Sequence, residues 1–232
     1  MKNRGRKPSI LIGVPIGPSP DKRFLESLPA FLKECEGHYD LELIQVSNKA
    51  LVDAQNYIAD YFLKGSKDYL LLMEDDHWGH SRNMLKALLR TNAPISGINY
   101  YSRHFPYYTC LMQKLEGYDK DNEFGHMAYD KGYYECALIG YAMMLIKREV
   151  FEKLDTPYFR LNECDDPESF ATDISFCNRV RKAGLKLIGC FDYILAHRDI
   201  TKENRMQKMI DDYDIYVSKP RKEFLKKKGF IV

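Results

Sequence analysis

The side chains best equipped for chemistry are Glu74, Asp75, Asp76 and His77, four consecutive residues directly after the apolar run YLLLM. Carboxylates grouped this way can hold a divalent cation against a diphosphate, because Mg2+ and Mn2+ take oxygen ligands and keep positions open for phosphate. If YLLLM is a strand of an open parallel sheet, the cluster falls beyond its carboxyl end, where such sheets bind ligands. A plain acidic turn fits the same letters, so the cluster alone leaves both meanings open. A separate carboxylate, Asp173, lies in the opening turns of a helical stretch, where the macrodipole favours its ionised form. That position suits a functional group and an ordinary helix start equally well. In NYYSRHFPYY, around Arg103, the rings of Tyr100, Tyr101, Phe105, Tyr107 and Tyr108 can stack on a sugar or a base, or pack beneath a long loop.

These residues need a scaffold, and the hydrophobic pattern describes one. SILIGVPI (Ser9 to Ile16) is β-branched and ends in a Gly/Pro/Ser loop, as a buried first strand does. A helix follows from Lys22 to Glu36, with Phe24, Leu25, Leu28, Phe31 and Leu32 on one stripe and Gly37 as its stop. LELIQVS (Leu41 to Ser47) reads as a second strand. In ALVDAQNYIADYFLKG, Leu51, Ala54, Ile58, Tyr61 and Phe62 recur at helical spacing before Gly65. The strand DYLLLM follows directly, completing the alternation of a largely parallel sheet.

Further on, a helix from Ser81 to Thr91 leads to a strand over Pro94 to Asn99. The Tyr-, His-, Gly- and Asp-rich stretch from Tyr100 to Glu135 reads as an irregular insertion. CALIGYAMMLIKREVFEKL reads as strand into helix, with Gly140 where backbone must approach a ligand or another element. DPESFATDISFCNRVRKAG reads as a helix closed by Gly184, and LKLIGCFDYILAH as one or two strands. A charged helical tail runs from Ile200 to Phe230.

Composition sets outer limits. A chain of 232 residues suits one core rather than two domains, here divided as a domain over 1–200 and a basic tail over 201–232. With 45% apolar and 29% charged residues, wholesale disorder and membrane embedding are both disfavoured. No run has the length to span a bilayer and no leader pattern opens the chain, so the expectation is cytoplasmic. None of the six cysteines forms a CxxC pair, which favours reduced structural thiols over zinc or a disulfide framework. A net charge of +2 does not mark a nucleic-acid binder, but KNRGRK and KPRKEFLKKK concentrate cations near the two ends.

LLLMEDDHW resembles the D-x-D strand end of GT-A glycosyltransferases, with Glu74 and Asp76 at the two acidic positions and Glu in place of the first Asp. ILIGVP, which includes Pro15, is similar to that family's first nucleotide-binding strand. IGYAMMLIKREVFEKL resembles its acceptor-side strand and helix, and ATDISFCNRVRKAG its E-D-x-x-F-C-x-R-x-x-x-x-G segment. The matches run in the family's order over roughly 9 to 200. The resemblance implies a GT-A type, Rossmann-like α/β fold of the family-2-like kind, with a mostly parallel sheet flanked by helices. It makes Asp173 the general base that takes the acceptor's proton, although Thr172 stands where the family has Glu. His197, after DYILA, matches a His that completes the metal shell beside Asp76. Asp53 and Asn56 match positions that often contact the base or ribose, and Arg103 one that often contacts phosphate. With Pro15, Glu74 and Asp75 they make up the expected donor contacts.

The expected function is therefore Mn2+- or Mg2+-dependent transfer of a sugar from a nucleoside diphosphate sugar to a soluble hydroxyl acceptor, with inversion. The basic ends and the aromatic loop extend the acceptor class to a hydroxymethylated DNA base. A nucleotidyltransferase shares the acidic metal site, but no Gly-rich phosphate loop with a following Lys is present. A silent glycan- or nucleic-acid-binding module on the same fold is the other alternative. Sugar, base and acceptor identity depend on pocket shape, which the loop from Tyr100 to Glu135 is expected to set.

Overall fold

The computed structural model describes residues 6–103, 107–114, 124–127, 129, 131–161, 172–205 and 207–208. The chain begins with β1 (Ser9–Pro15), α1 (Lys22–Cys35), β2 (Asp40–Val46), α2 (Leu51–Lys64) and β3 (Tyr69–Met73). Next come β4 (His77–Trp78), α3 (Arg82–Thr91), β5 (Ile95–Tyr100), β6 (Leu111–Lys114), β7 (Phe124–His126) and β8 (Tyr133–Cys136). The last elements are β9 (Leu138–Ile139), β10 (Met143–Lys147), α4 (Arg148–Glu152), α5 (Thr172–Lys182) and β11 (Leu187–His197).

The main sheet has the order β2-β1-β3-β10-β5-β11-β4, with β8 added against β11. β2, β1, β3, β5 and β11 run in one direction, and β10 is wedged antiparallel between β3 and β5. This is the mixed α/β fold with a mostly parallel central sheet flanked by helices, in a single domain. One apolar cluster packs α2, α4 and α5 on one face, and a second packs α1 and α3 on the other. Among the described residues, no helix is long and apolar enough to cross a membrane.

Local chemistry explains most boundaries. Asp21 caps α1 by accepting from Arg23 N, and Ser81 caps α3 by accepting from Met84 N. The last carbonyls of α2 are satisfied from outside the helix: the Arg148 guanidinium donates to Phe62, Leu63, Gly65 and Lys67 oxygens. Gly13 lets α2 lie close on β1, since a Cβ there would sit 2.4 Å from Ile58 Cγ2.

One reading of the sequence changes. The stretch 136–154 is not one strand into a helix: it holds the end of β8, then β9 in a separate three-stranded sheet, then β10. Gly140 sits in the turn between β9 and β10, and its missing Cβ makes room for Tyr100 Oη rather than for a ligand. Residues 185–197 form a single strand with a register shift between Cys190 and Ile194. The expected helical tail is described only to 208, so most of 201–232 lies outside the described residues, as do 166–171 of the expected helix before Asp173.

Candidate metal and donor site

The turn after β3 is pinned from several directions. Asp21 N donates to the Asp75 carbonyl at 2.9 Å, and Arg198 N to the Asp76 carbonyl at 2.9 Å. Gly17 N donates to Asp75 Oδ2 at 2.7 Å, so the Asp75 carboxylate holds the loop that follows β1. These contacts fix the acidic turn as one wall of a cleft of about 430 Å3. The cleft is lined by Pro15, Gly17, Lys49, Glu74, Asp76 and Arg103, with Asp75 and the first turn of α2 completing it.

Beside the cleft, Asp76, His77 and His197 each bring a ligand atom within 4.8 Å of the others. The cause is a two-residue strand: β4 pairs antiparallel with the end of β11, which makes His77 and His197 register partners. Their rings stack at 4.1 Å and 14°, and Tyr100 meets both edge-on. His77, which the motif reading leaves without a role, is thus as central as His197. A strand of two residues is too short to leave a periodic trace, so only its place in the cluster hints at it.

The protonation pattern suits a cation. His197 Nδ1 lies 2.8 Å from the Tyr101 carbonyl oxygen. A carbonyl can only accept, so Nδ1 carries a proton. Nε2 faces Asp76 Oδ2 at 3.3 Å, a pairing that either a proton or a cation can bridge. His77 is almost fully buried and neither ring nitrogen makes a well-aligned hydrogen bond, although Nδ1 is 2.8 Å from Asp76 Oδ1. Burial lowers its pKa to about 4, which favours an uncharged ring. One carboxylate and two imidazoles, one oriented by a backbone carbonyl, form a donor set that fits Mn2+ and admits Mg2+ less readily.

The carboxylates respond to their crowding. Burial would raise Asp76, but the two imidazoles beside it prevail and hold it well below the usual carboxylate range. Arg103 Nη1 donates to Asp76 Oδ2 at 3.1 Å from an exposed position. Glu74 is pushed up to about 8, first by burial and then by Asp76, Asp173 and Asp75. Asp173 opens α5, accepts from Ile174 N at 2.9 Å, and is pushed up to about 6 by burial although part of its surface stays open.

The sheet therefore brings Pro15, Glu74, Asp75, Asp76 and Arg103 to one cleft, with His197 behind Asp76 and Asp173 near Glu74. Asp53 and Asn56 do not line it. Asp53 is exposed in the first turn of α2, and the Asn56 amide is spent on the backbone of Phe159, at 2.8 Å to its oxygen and 3.0 Å from its nitrogen. Within the aromatic loop, Tyr100 and Tyr107 are buried and Tyr108 is exposed, while 104–106 lie outside the described residues.

No family model and no curated protein matches the sequence. Among solved structures, A197 from STIV aligns with a TM-score of 0.56 and 16% identity, over 82% of this chain and 85% of its own. GalNAc-T7, solved with UDP, GalNAc and Mn2+, aligns with a TM-score of 0.54 and 8% identity over 84% of this chain. The match takes in 44% of GalNAc-T7, so this chain spans less than half of that protein's length. At these identities the likeness is one of fold.

Proposed function

We propose that this chain is a GT-A type glycosyltransferase that moves a sugar from a nucleoside diphosphate sugar to an acceptor hydroxyl with inversion. The observation that carries the proposal is the Asp76, His77 and His197 donor set, whose Asp76 lines a cleft beside Glu74, Asp75 and Arg103. The GalNAc-T7 likeness supports it, since a protein of similar fold was solved with UDP, GalNAc and Mn2+.

Mn2+ or Mg2+ held by Asp76, His77 and His197 would supply positive charge for the departing diphosphate. Arg103 is free enough to turn from Asp76 toward a phosphate, and Lys49 stands across the same cleft. Pro15 and the loop held by Asp75 offer a floor for the nucleoside. Asp173 takes the proton of the acceptor hydroxyl as it attacks the anomeric carbon. The test is the anomeric configuration of the product, read by proton NMR. Inversion is expected, and retention would remove Asp173 from the role of base.

The acceptor is assigned only to the soluble hydroxyl class. The basic segments that favoured hydroxymethylated DNA lie at 1–5 and 209–232, outside the described residues. Arg6 and Lys7 are described, but with Lys147 and Arg148 they line a cleft at the start of β1 and β3. At about 3.3 Å per residue along β1, that is roughly 20 Å from the donor cleft. Transfer to such DNA is one arm of an acceptor panel, beside small-molecule and protein hydroxyls.

Two results follow from the site. The rate should rise with pH through a midpoint near 6, because Asp173 must be ionised to act and burial raises its pKa to about 6. A pH-independent rate between 5 and 7, on the order of one unit either side of that midpoint, would exclude the carboxylate as base. His197→Ala should raise the Mn2+ concentration for half-maximal rate by about 10- to 100-fold, the scale seen when metal affinity depends on a tuned ligand. Water can replace a neutral imidazole in part, so activity should return at saturating metal. An unchanged metal titration would leave His197 as a packing partner of His77.

A further inference from the structure

We propose that Asn56 is a positioning residue: it sets the helix that carries Asp173 against the helix whose first turn walls the donor cleft. The inference rests on the reading of Asp173 as the base.

Asn56 lies on α2, five residues after Leu51, and Leu51 and Ala54 line the cleft. Its amide grips one distant residue by both ends. Nδ2 donates to Phe159 O at 2.8 Å, and Phe159 N donates to Oδ1 at 3.0 Å. The second amide proton goes to Val52 O at 2.9 Å, within the same helix. A side-chain amide used this way works as a clamp, leaving no donor for a ligand.

What it clamps leads to Asp173. Phe159 is fully buried, and its ring stacks on Phe176 at 4.7 Å and 24°. Phe176 is three residues after Asp173, one helical turn away on α5. Phe159 also meets Tyr141 edge-on at 5.7 Å, and Tyr141 Oη donates to the Thr172 carbonyl at 2.9 Å, immediately before Asp173. From the far end of α5, Arg179 returns to the same segment and donates to Pro157 O at 3.0 Å, Tyr158 O at 2.6 Å and Asp155 O at 2.5 Å. The segment 155–159 is therefore a wedge between two helices, held by Asn56 on one side and by Phe176 and Arg179 on the other. Releasing Asn56 frees the wedge from α2, and with it the distance between Asp173 and a donor in the cleft.

The experiment compares Asn56→Ala, which removes the whole clamp, with Asn56→Asp, which still accepts from Phe159 N but no longer donates to its oxygen. The expected result is a kcat lower by about 10- to 100-fold in the Ala variant, the cost of a small misplacement, and a loss at least as large in the Asp variant, whose second carboxylate oxygen faces the Phe159 and Val52 carbonyl oxygens. Donor KM should stay within about 2-fold, because ground-state binding is untouched. A second readout needs no substrate: the carbon-13 NMR titration of the Asp173 carboxyl should show a lower midpoint in both variants, as the loosened helix admits water around it. The groups facing that carboxyl, Glu74, Tyr100, Tyr141, Cys110 and Cys177, are the same in all three proteins. A raised donor KM with unchanged kcat would overturn the proposal and return Asn56 to a donor contact. An unmoved Asp173 titration in folded variants would also overturn it. If the Ala variant does not fold, the Asp variant decides. If the wild-type protein transfers no sugar, the glycosyltransferase reading fails, and the titration still decides the role of Asn56.

Discussion

Replacing Asp173 by Asn is expected to lower turnover by about 10²- to 10⁴-fold, the usual worth of a positioned general base, with donor affinity unchanged. Asn preserves size and can still accept from Ile174 N, so the helix start survives. What disappears is the ability to take a proton. Stability moves the opposite way from activity. A carboxyl whose folded pKa is above its unfolded value costs stability as pH rises from about 4 through its folded value of about 6. The neutral Asn variant escapes that cost, so at neutral pH it should unfold at the same or a higher temperature than the wild type. Thermal unfolding and single-turnover kinetics on one preparation check both halves. Loss of rate together with donor affinity would instead place Asp173 in the donor site.

Asp76→Ala should abolish metal-dependent transfer, a loss of about 10³-fold or more given the several kcal/mol that a bound cation contributes to leaving-group charge. Unlike Asp173→Asn, it should also destabilise the protein. Asp76 is not the exposed carboxylate that its place after a strand suggests: only 15% of its side chain is open, against His77, His197 and Arg103. Removing a charged hydrogen-bond acceptor in this setting costs about 1–3 kcal/mol. Because its folded pKa is depressed, this stabilisation is present above the unfolded value of about 4 and is lost as pH falls below it. The wild type and the variant should therefore differ in melting temperature at pH 7 and converge in strong acid. Binding of Mn2+, followed by its electron paramagnetic resonance signal, should be present in the wild type and missing in the variant. Wild-type turnover by Asp76→Ala would remove the metal assignment.

The sequence disclosed what is periodic and local. β1, α1, β2, α2 and β3 were readable because burial repeats along them and because Gly, Ser and Asn punctuate their ends, and their observed bounds differ from the pattern by one residue at most. The acidic cluster was readable because it follows a strongly apolar strand. What escaped depends on contacts between distant residues. β10 is antiparallel because of its place between β3 and β5, which no local feature of MMLIK announces. The pairing of His77 with His197 needs β4 laid against the end of β11, across 120 residues of chain. Asn56 matches a position that often contacts the base or ribose in the resembling family, yet its amide is claimed by Phe159. Hydrogen-bond competition of that kind is settled only by the tertiary fold.

The most direct test of the account is the release of nucleoside diphosphate from a panel of nucleoside diphosphate sugars, measured with Mn2+ and again with the metal chelated. At least one donor is expected to be turned over, chelation to stop the release, and added Mn2+ to restore it. Turnover that persists through chelation would contradict the assignment of Asp76, His77 and His197, and no release from any donor in the presence of Mn2+ and the hydroxyl acceptor panel would contradict the function itself.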